Sequence, residues 1–391
     1  MRINPAIHPS APQSRQAGLS IVEMMVSMTI GILILSALTA TFVNSSNAQR
    51  ELLRTAQQIE SGRYALDTMV QDLHLAGFYG AYTAYSTPGS LPDPCDTNAT
   101  NMKTALGLPV QGYAAGSTTA KPTVSTACAT YLTSANLQPG SDVLVVRYAE
   151  TTTVPASTTT LSTESYLQAN ATSASIMAGG GTTSCTSDAQ GGTTDVITRK
   201  CKLPITSDAC STTCSAGTSP AADIRKMLVR IYFVAPCSLP SSGTVCTGSS
   251  DDGGSPIPTL KRLELTSTGF AVSSVAEGIE LMKLQYGIDD SPSTTNASTG
   301  RIGDGVPDSY VLAPTLAQYA NVVSARIDIL ARNTEKSAGY IDTKTYSLGV
   351  LSATQRTQAA ITVGPYSDGY RRHVYNGETR LTNLAGRREA P

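Results

Sequence analysis

Three groups of residues in this chain have the types and spacing to do chemistry. The first is Gly18-Leu19 with Glu23. Glu23 is the last charged side chain before Arg50, so its carboxylate fronts an apolar run from Leu19 to Val43. A helix rises about 1.5 Å per residue and about 20 apolar residues span the hydrocarbon of a bilayer, so this run is long enough to cross one. A carboxylate at the centre of a membrane helix costs about 2.5–3.5 kcal/mol and tends to be kept for pairing. An ordinary secretory signal puts its small-residue cleavage site after the apolar core. Here the small residue, Gly18, stands before it, behind a polar leader from Met1 that carries Arg2 and Arg15. A cut after Gly18 would remove the leader, keep the apolar helix, and bring Glu23 close to a new α-amino group. Such an amine has a reference pKa of about 7.7–8.0, which suits it to pair with the carboxylate of a neighbouring chain. The competing reading is a plain signal anchor with Glu23 lying in the interface.

The second group is the cysteines, Cys95, Cys128, Cys185, Cys201, Cys210, Cys214, Cys237 and Cys246, all beyond the apolar run. An even count in that position fits an oxidising compartment and disulfides, with the pairing left open. A zinc site at Cys210 and Cys214 competes, but no histidine lies near and no second close pair completes a ligand set.

The third group is Asp289, Asp290, Asp304 and Asp308, carboxylates around one loop. Calcium takes roughly six to eight oxygen ligands, which favours a site. Asp-Gly is equally an ordinary turn signal, and Pro307 interrupts the spacing, so an acidic turn stays open beside calcium. Histidine is confined to His8, His74 and His373. No base–nucleophile pair or metal cluster is visible, and an enzyme is not expected. The formal net charge of −1 gives no electrostatic reason to expect a nucleic acid, and the charged fraction of 15% suits an exported, loop-rich β protein.

The elements that must position these residues follow from periodicity. The helix is expected to continue past Val43 through residues 44–77, where Leu52, Ile59, Leu66 and Leu73 recur with Ala56, Met69 and Val70 widening the stripe, and to stop at Gly77. Gly62 lowers helix stability locally and is a candidate bend. Residues 78 to about 121 read as loops, punctuated by Pro88-Gly89, Pro92 and Pro94. Strands are expected at Ser141–Tyr148, Lys226–Val234, Lys261–Leu265, Ile279–Ile288 and Val322–Leu330, with a closing pair at Tyr370–Tyr375 and Thr379–Leu384. About 151–219 is rich in Thr, Ser, Ala and Gly, holds a strand candidate at Asp195–Thr198, and reads as a disulfide-stapled, solvent-facing insertion. The expected fold is α+β: one long N-terminal helix against an antiparallel sheet.

Glycine, apolar run and early glutamate together resemble the class III signal of type IV prepilins and of type II secretion pseudopilins, with Leu19 where the family most often has Phe. The resemblance implies cleavage between Gly18 and Leu19 by a prepilin peptidase, N-methylation of Leu19, and an assembly role for Glu23. Later segments, Gly62–Gly80, Leu284–Asp289, Val323–Arg332, Tyr370–Arg372 and Arg380–Leu384, resemble the PilW family of minor pilins. That likeness implies a pilin-like fold and an inner-membrane subunit whose head, 78–391, lies in the periplasm before joining an extracellular pilus. It also implies partners: other minor pilins, the major pilin and a large tip adhesin, in a complex that starts assembly and caps the fibre. A pseudopilin of a secretion system and a tip adhesive or ligand-binding module are the alternatives.

Overall fold

The computed structural model describes residues 18, 20–83, 85–155, 161–171, 174–178, 222–291, 303–349 and 361–389. In chain order its helices and strands are α1 (Ile21–Leu75), α2 (Ala99–Ala105), β1 (Val110–Tyr113), β2 (Val143–Ala149), β3 (Ser165–Ala169), β4 (Ala174–Ala178), β5 (Ile224–Ala235), β6 (Thr259–Thr266), β7 (Gly269–Glu277), β8 (Ile279–Ile288), β9 (Ser309–Val311), α3 (Leu316–Tyr319), β10 (Val322–Arg332), β11 (Tyr346–Leu348), β12 (Ile361–Val363), β13 (Arg372–Arg380) and α4 (Thr382–Glu389). The chain divides into two units, Met1–Leu53 and Arg54–Pro391, and α1 contributes residues to both.

In the second unit every strand pairing among the described residues is antiparallel. The larger sheet runs β1-β2-β5-β3-β4, with β6 on β5 and β7 on β6; a second sheet runs β13-β10-β8-β9, and β11 pairs with β12. The long strand β5 organises the first sheet, pairing with β3 through Ile224–Lys226, with β2 through Met227–Tyr232 and with β6 through Arg230–Ala235. Strand β2 is buried along its whole length because Val143-Leu144-Val145-Val146 offers apolar side chains to both faces. Leu144 and Val146 join one core with Met69 and Leu73 of α1 and with Met282, Leu284, Ile327 and Ile329 of the second sheet. Val143 and Val145 face a different core, with Leu106, Ile231, Phe233 and the Cys95 and Cys128 side chains.

The buried stripe of α1 keeps the later half of the expected heptad and departs from the earlier half. Leu73 and Met69 are buried and Leu66 packs against the core, as expected, but Leu52 is 70% exposed and Ile59 40%, while Gln58, Gly62, Ala65 and Asp72 are buried. The polar members are buried because the sheets give them partners: the Gln58 amide nitrogen donates to the carbonyls of Ala331 (2.8 Å) and Arg371 (3.0 Å). Gly62 serves close approach rather than bending, since a Cβ there would lie 2.5 Å from the Tyr375 ring. Gly77 does end the helix, with φ of +75°.

Three further expectations are corrected. The stretch after Phe78 holds α2 and β1, because Asn98 caps a short helix by accepting from the amides of Thr100 and Asn101. The Thr/Ser-rich stretch is not wholly solvent-facing: it supplies β3 and β4, and Tyr166, Leu167, Ile176 and Met177 are buried. The closing strand pair is a single strand, β13, followed by α4, because the Ala385 amide bonds the Leu381 carbonyl and begins a helix whose Leu381 and Leu384 face the core. Strand β8 is buried on both faces. The strand candidate at 195–198 lies outside the described residues.

Candidate assembly site

In the Met1–Leu53 unit, α1 is apolar and long enough to cross a membrane, and none of its most apolar window is buried. Ile21, Met25, Ile32, Leu33, Leu35 and Phe42 are all exposed. The sequence forms helix here despite its β-branched residues because hydroxyls that would compete with the backbone turn inward. Ser27 donates to the Glu23 carbonyl at 2.7 Å, Thr39 to Leu35 at 2.8 Å and Thr41 to Ala37 at 2.9 Å. Their polar atoms are thereby satisfied inside the helix, as a lipid or apolar protein environment requires.

Gly18 is exposed and non-helical, Leu19 lies outside the described residues, and Glu23 sits exposed in the first turn of α1. A carboxylate there is favoured by the unpaired amides and positive dipole end of the helix. Chemically this is an apolar rod with one ionisable group at its start.

The Arg54–Pro391 unit holds its own stretch of α1 with a polar anchor that the sequence reading missed. Asp72 accepts from Tyr148 at 2.8 Å, from Arg230 at 2.6 Å and from the Tyr232 hydroxyl. Burial, and then the Asp72 charge, push the Tyr148 and Tyr232 hydroxyls upward, so both remain protonated donors. An acid on the core-facing side of an amphipathic helix was the available signal. The second sheet carries a comparable cluster: the Arg372 guanidinium bonds Glu280, Asp342 and Asp368, and its planar face lies 3.7 Å from the Tyr366 ring centre. Asp142 and Lys283, both buried, form an ion pair between β2's N-terminal approach and β8, and Asp142 also accepts from the amides of Ala115 and Leu284. These groups are engaged with one another, which is the pattern of structural charge pairing.

Cys95 bonds Cys128, and Cys237 bonds Cys246. Cys185, Cys201, Cys210 and Cys214 lie outside the described residues. Asp93 and Asp251 stand beside these two disulfides, but the sulfurs are already bonded to each other and offer no thiolate.

The loop aspartates are spent on the turn itself. Asp289 accepts from Arg388 Nε at 2.8 Å, from the Ser291 amide and from the Gly305 amide; Asp308 accepts from the Asp290 amide, Asp290 from the Ser309 hydroxyl, and Asp304 from the Val306 amide. Burial raises the Asp289 carboxyl, but the hydrogen bonds from Arg388 and Ser291 outweigh it and bring it down to about 2. Arg388 already supplies the positive charge, and among the described residues the four carboxylates do not gather around a common point. The donor set does not fit calcium.

Residues 246–383, from the second disulfide through β13, match the family model PilW, Type IV Pilus-assembly protein W. The match supports a type IV pilus-related protein. It covers about a third of the chain and falls within the β-rich unit. No curated protein and no solved structure matches the chain.

Proposed function

We propose that this chain is a minor pilin of the PilW type, processed between Gly18 and Leu19, that takes part in starting type IV pilus assembly and in the complex at the pilus tip. One combination carries the reading: an exposed apolar helix with Glu23 in its first turn, in the same chain as a PilW match in the β-rich unit. In this scheme α1 waits in the inner membrane with the β-rich unit in the periplasm. Glu23 then neutralises the N-terminal amine of a neighbouring subunit as helices pack in the fibre. In a medium of low dielectric this match fixes register more than it adds stability. The partners are other minor pilins, the major pilin and a tip adhesin; catalysis plays no part.

Glu23→Ala tests the proposal in a strain lacking the native copy. Processing should stay intact while the chain's recovery in sheared pili, pilus number and twitching motility fall. Normal piliation and normal incorporation with alanine at this position would contradict it. Loss of a secreted enzyme with pili unaffected would assign the chain to a secretion pseudopilus instead.

A further inference from the structure

Lys283 of β8 holds its ammonium against the Asp142 carboxylate, Nζ to Oδ1 at 2.5 Å, with only 2% and 1% of the two side chains exposed. The backbone fixes this meeting. The Asp142 amide donates to the Met282 carbonyl at 2.8 Å, the Met282 amide to the Ser141 hydroxyl at 3.1 Å, and the Leu284 amide to Asp142 Oδ2 at 2.9 Å. Ala115 engages both members of the pair: its amide donates to Oδ1 at 2.9 Å and its carbonyl accepts from Nζ at 3.4 Å. A nitrogen nucleophile and a carboxyl group are held against each other, away from water.

Keeping both groups ionised in such a place costs several kcal/mol per ion, which their attraction must repay. Condensation removes both charges at once. Burial outweighs the Lys283 and amide hydrogen bonds and raises the Asp142 carboxyl, which brings the neutral acid within reach. One proton passes from Nζ to Oδ1 along their hydrogen bond, leaving an amine beside a carboxylic acid. The amine lone pair then forms a bond to Cγ while Oδ2 takes up negative charge, stabilised by the Leu284 amide in the manner of an oxyanion hole. A second Nζ proton goes to Oδ1, the Cγ–Oδ1 bond breaks, and water leaves. Oδ2 returns to a carbonyl oxygen, and the third proton stays on the new amide nitrogen. No oxidant or cofactor is required, and reactants held in place reach effective molarities of about 10⁵–10⁸ M.

We propose that Lys283 and Asp142 join in an intramolecular isopeptide bond that ties the approach to β2 in the first sheet to β8 in the second. The bond links positions 141 residues apart, so a pull on the chain separates them only by breaking a covalent bond. The full-length protein, purified in detergent, is reduced, alkylated, digested with trypsin and mapped by mass spectrometry. The expected product joins peptide 104–147 to peptide 263–301, uncut after Lys283 and lighter than the two together by one water. Separate peptides 104–147 and 263–283 at full mass, from the folded native chain, would overturn the bond. Lys283→Arg keeps the charge but offers no nucleophilic amine, so the water loss should vanish. A loss that persists in that variant, or that maps to another pair of residues, would also overturn it. If Lys283→Arg fails to fold, the map of the native chain decides alone.

Discussion

The Tyr375 ring of β13 lies directly over Gly62 of α1, so close that a Cβ on residue 62 would sit 2.5 Å from Cε2. The helix lies against the second sheet here because one position lacks a side chain. Gly62→Ala sets two effects against each other. Alanine raises helix propensity by about 1 kcal/mol, while overpacking costs about 1–3 kcal/mol. The clash should win, lowering the melting temperature of the purified protein. A rise would show that the ring moves aside freely.

Asp72 should matter more. Asp72→Ala leaves Arg230, Tyr148 and Tyr232 facing a vacant acceptor, although Arg230 keeps Glu264 at 3.3 Å. Removing one partner of a buried charge pair costs about 3–5 kcal/mol. Denaturant unfolding should report a loss of that order, with Asp72→Asn milder because it keeps one acceptor. A loss below about 1 kcal/mol would sit with an ordinary surface substitution.

Acid should weaken the β-rich unit through Asp289. Its folded carboxyl is held at about 2, below the ordinary 3.8, so the stabilisation is present above the ordinary value and is lost as pH falls through the folded one. The effect is on the order of 1–2 kcal/mol. Arg388→Gln removes the strongest cause of the depression, so its stability should depend less on pH between 4 and 2 (approximate limits) than that of the native protein. Identical acid profiles would contradict this.

Calcium should leave the melting temperature unchanged at millimolar concentration, since Arg388 and backbone amides already occupy the loop aspartates. A calcium-dependent rise that Asp289→Asn abolishes would reinstate a cation site.

What could be read from the sequence depended on whether the burying partner was local. The apolar run before Val43 and the turn at Gly77 need no distant contact, and both appear where expected. Strands such as Val143–Ala149 and Val322–Arg332 carry their own apolar density. The face of α1 follows Leu66 and Leu73 but not Leu52 and Ile59, and it takes in Gln58 and Asp72, which are buried against carbonyls, hydroxyls and a guanidinium that arrive from far along the chain. Strand β7 was missed for the converse reason: Ala271, Val272, Ser273 and Ser274 are exposed, so the segment shows no core-facing alternation and is held by pairing with β6. In the proposed assembly site, Gly18 and Glu23 are singled out by order along the chain alone. The Arg387–Tyr85 stack joins residues some three hundred positions apart, and nothing local announces it.

The central claim is that this chain enters a filament as a mature subunit whose first residue is Leu19. Mass spectrometry of the N-terminal peptide from the chain recovered in sheared filaments tests it most directly. The expected peptide begins at Leu19 with a methylated amine and contains Glu23. A peptide still carrying Met1–Gly18, or one that begins beyond the apolar run, would contradict the account.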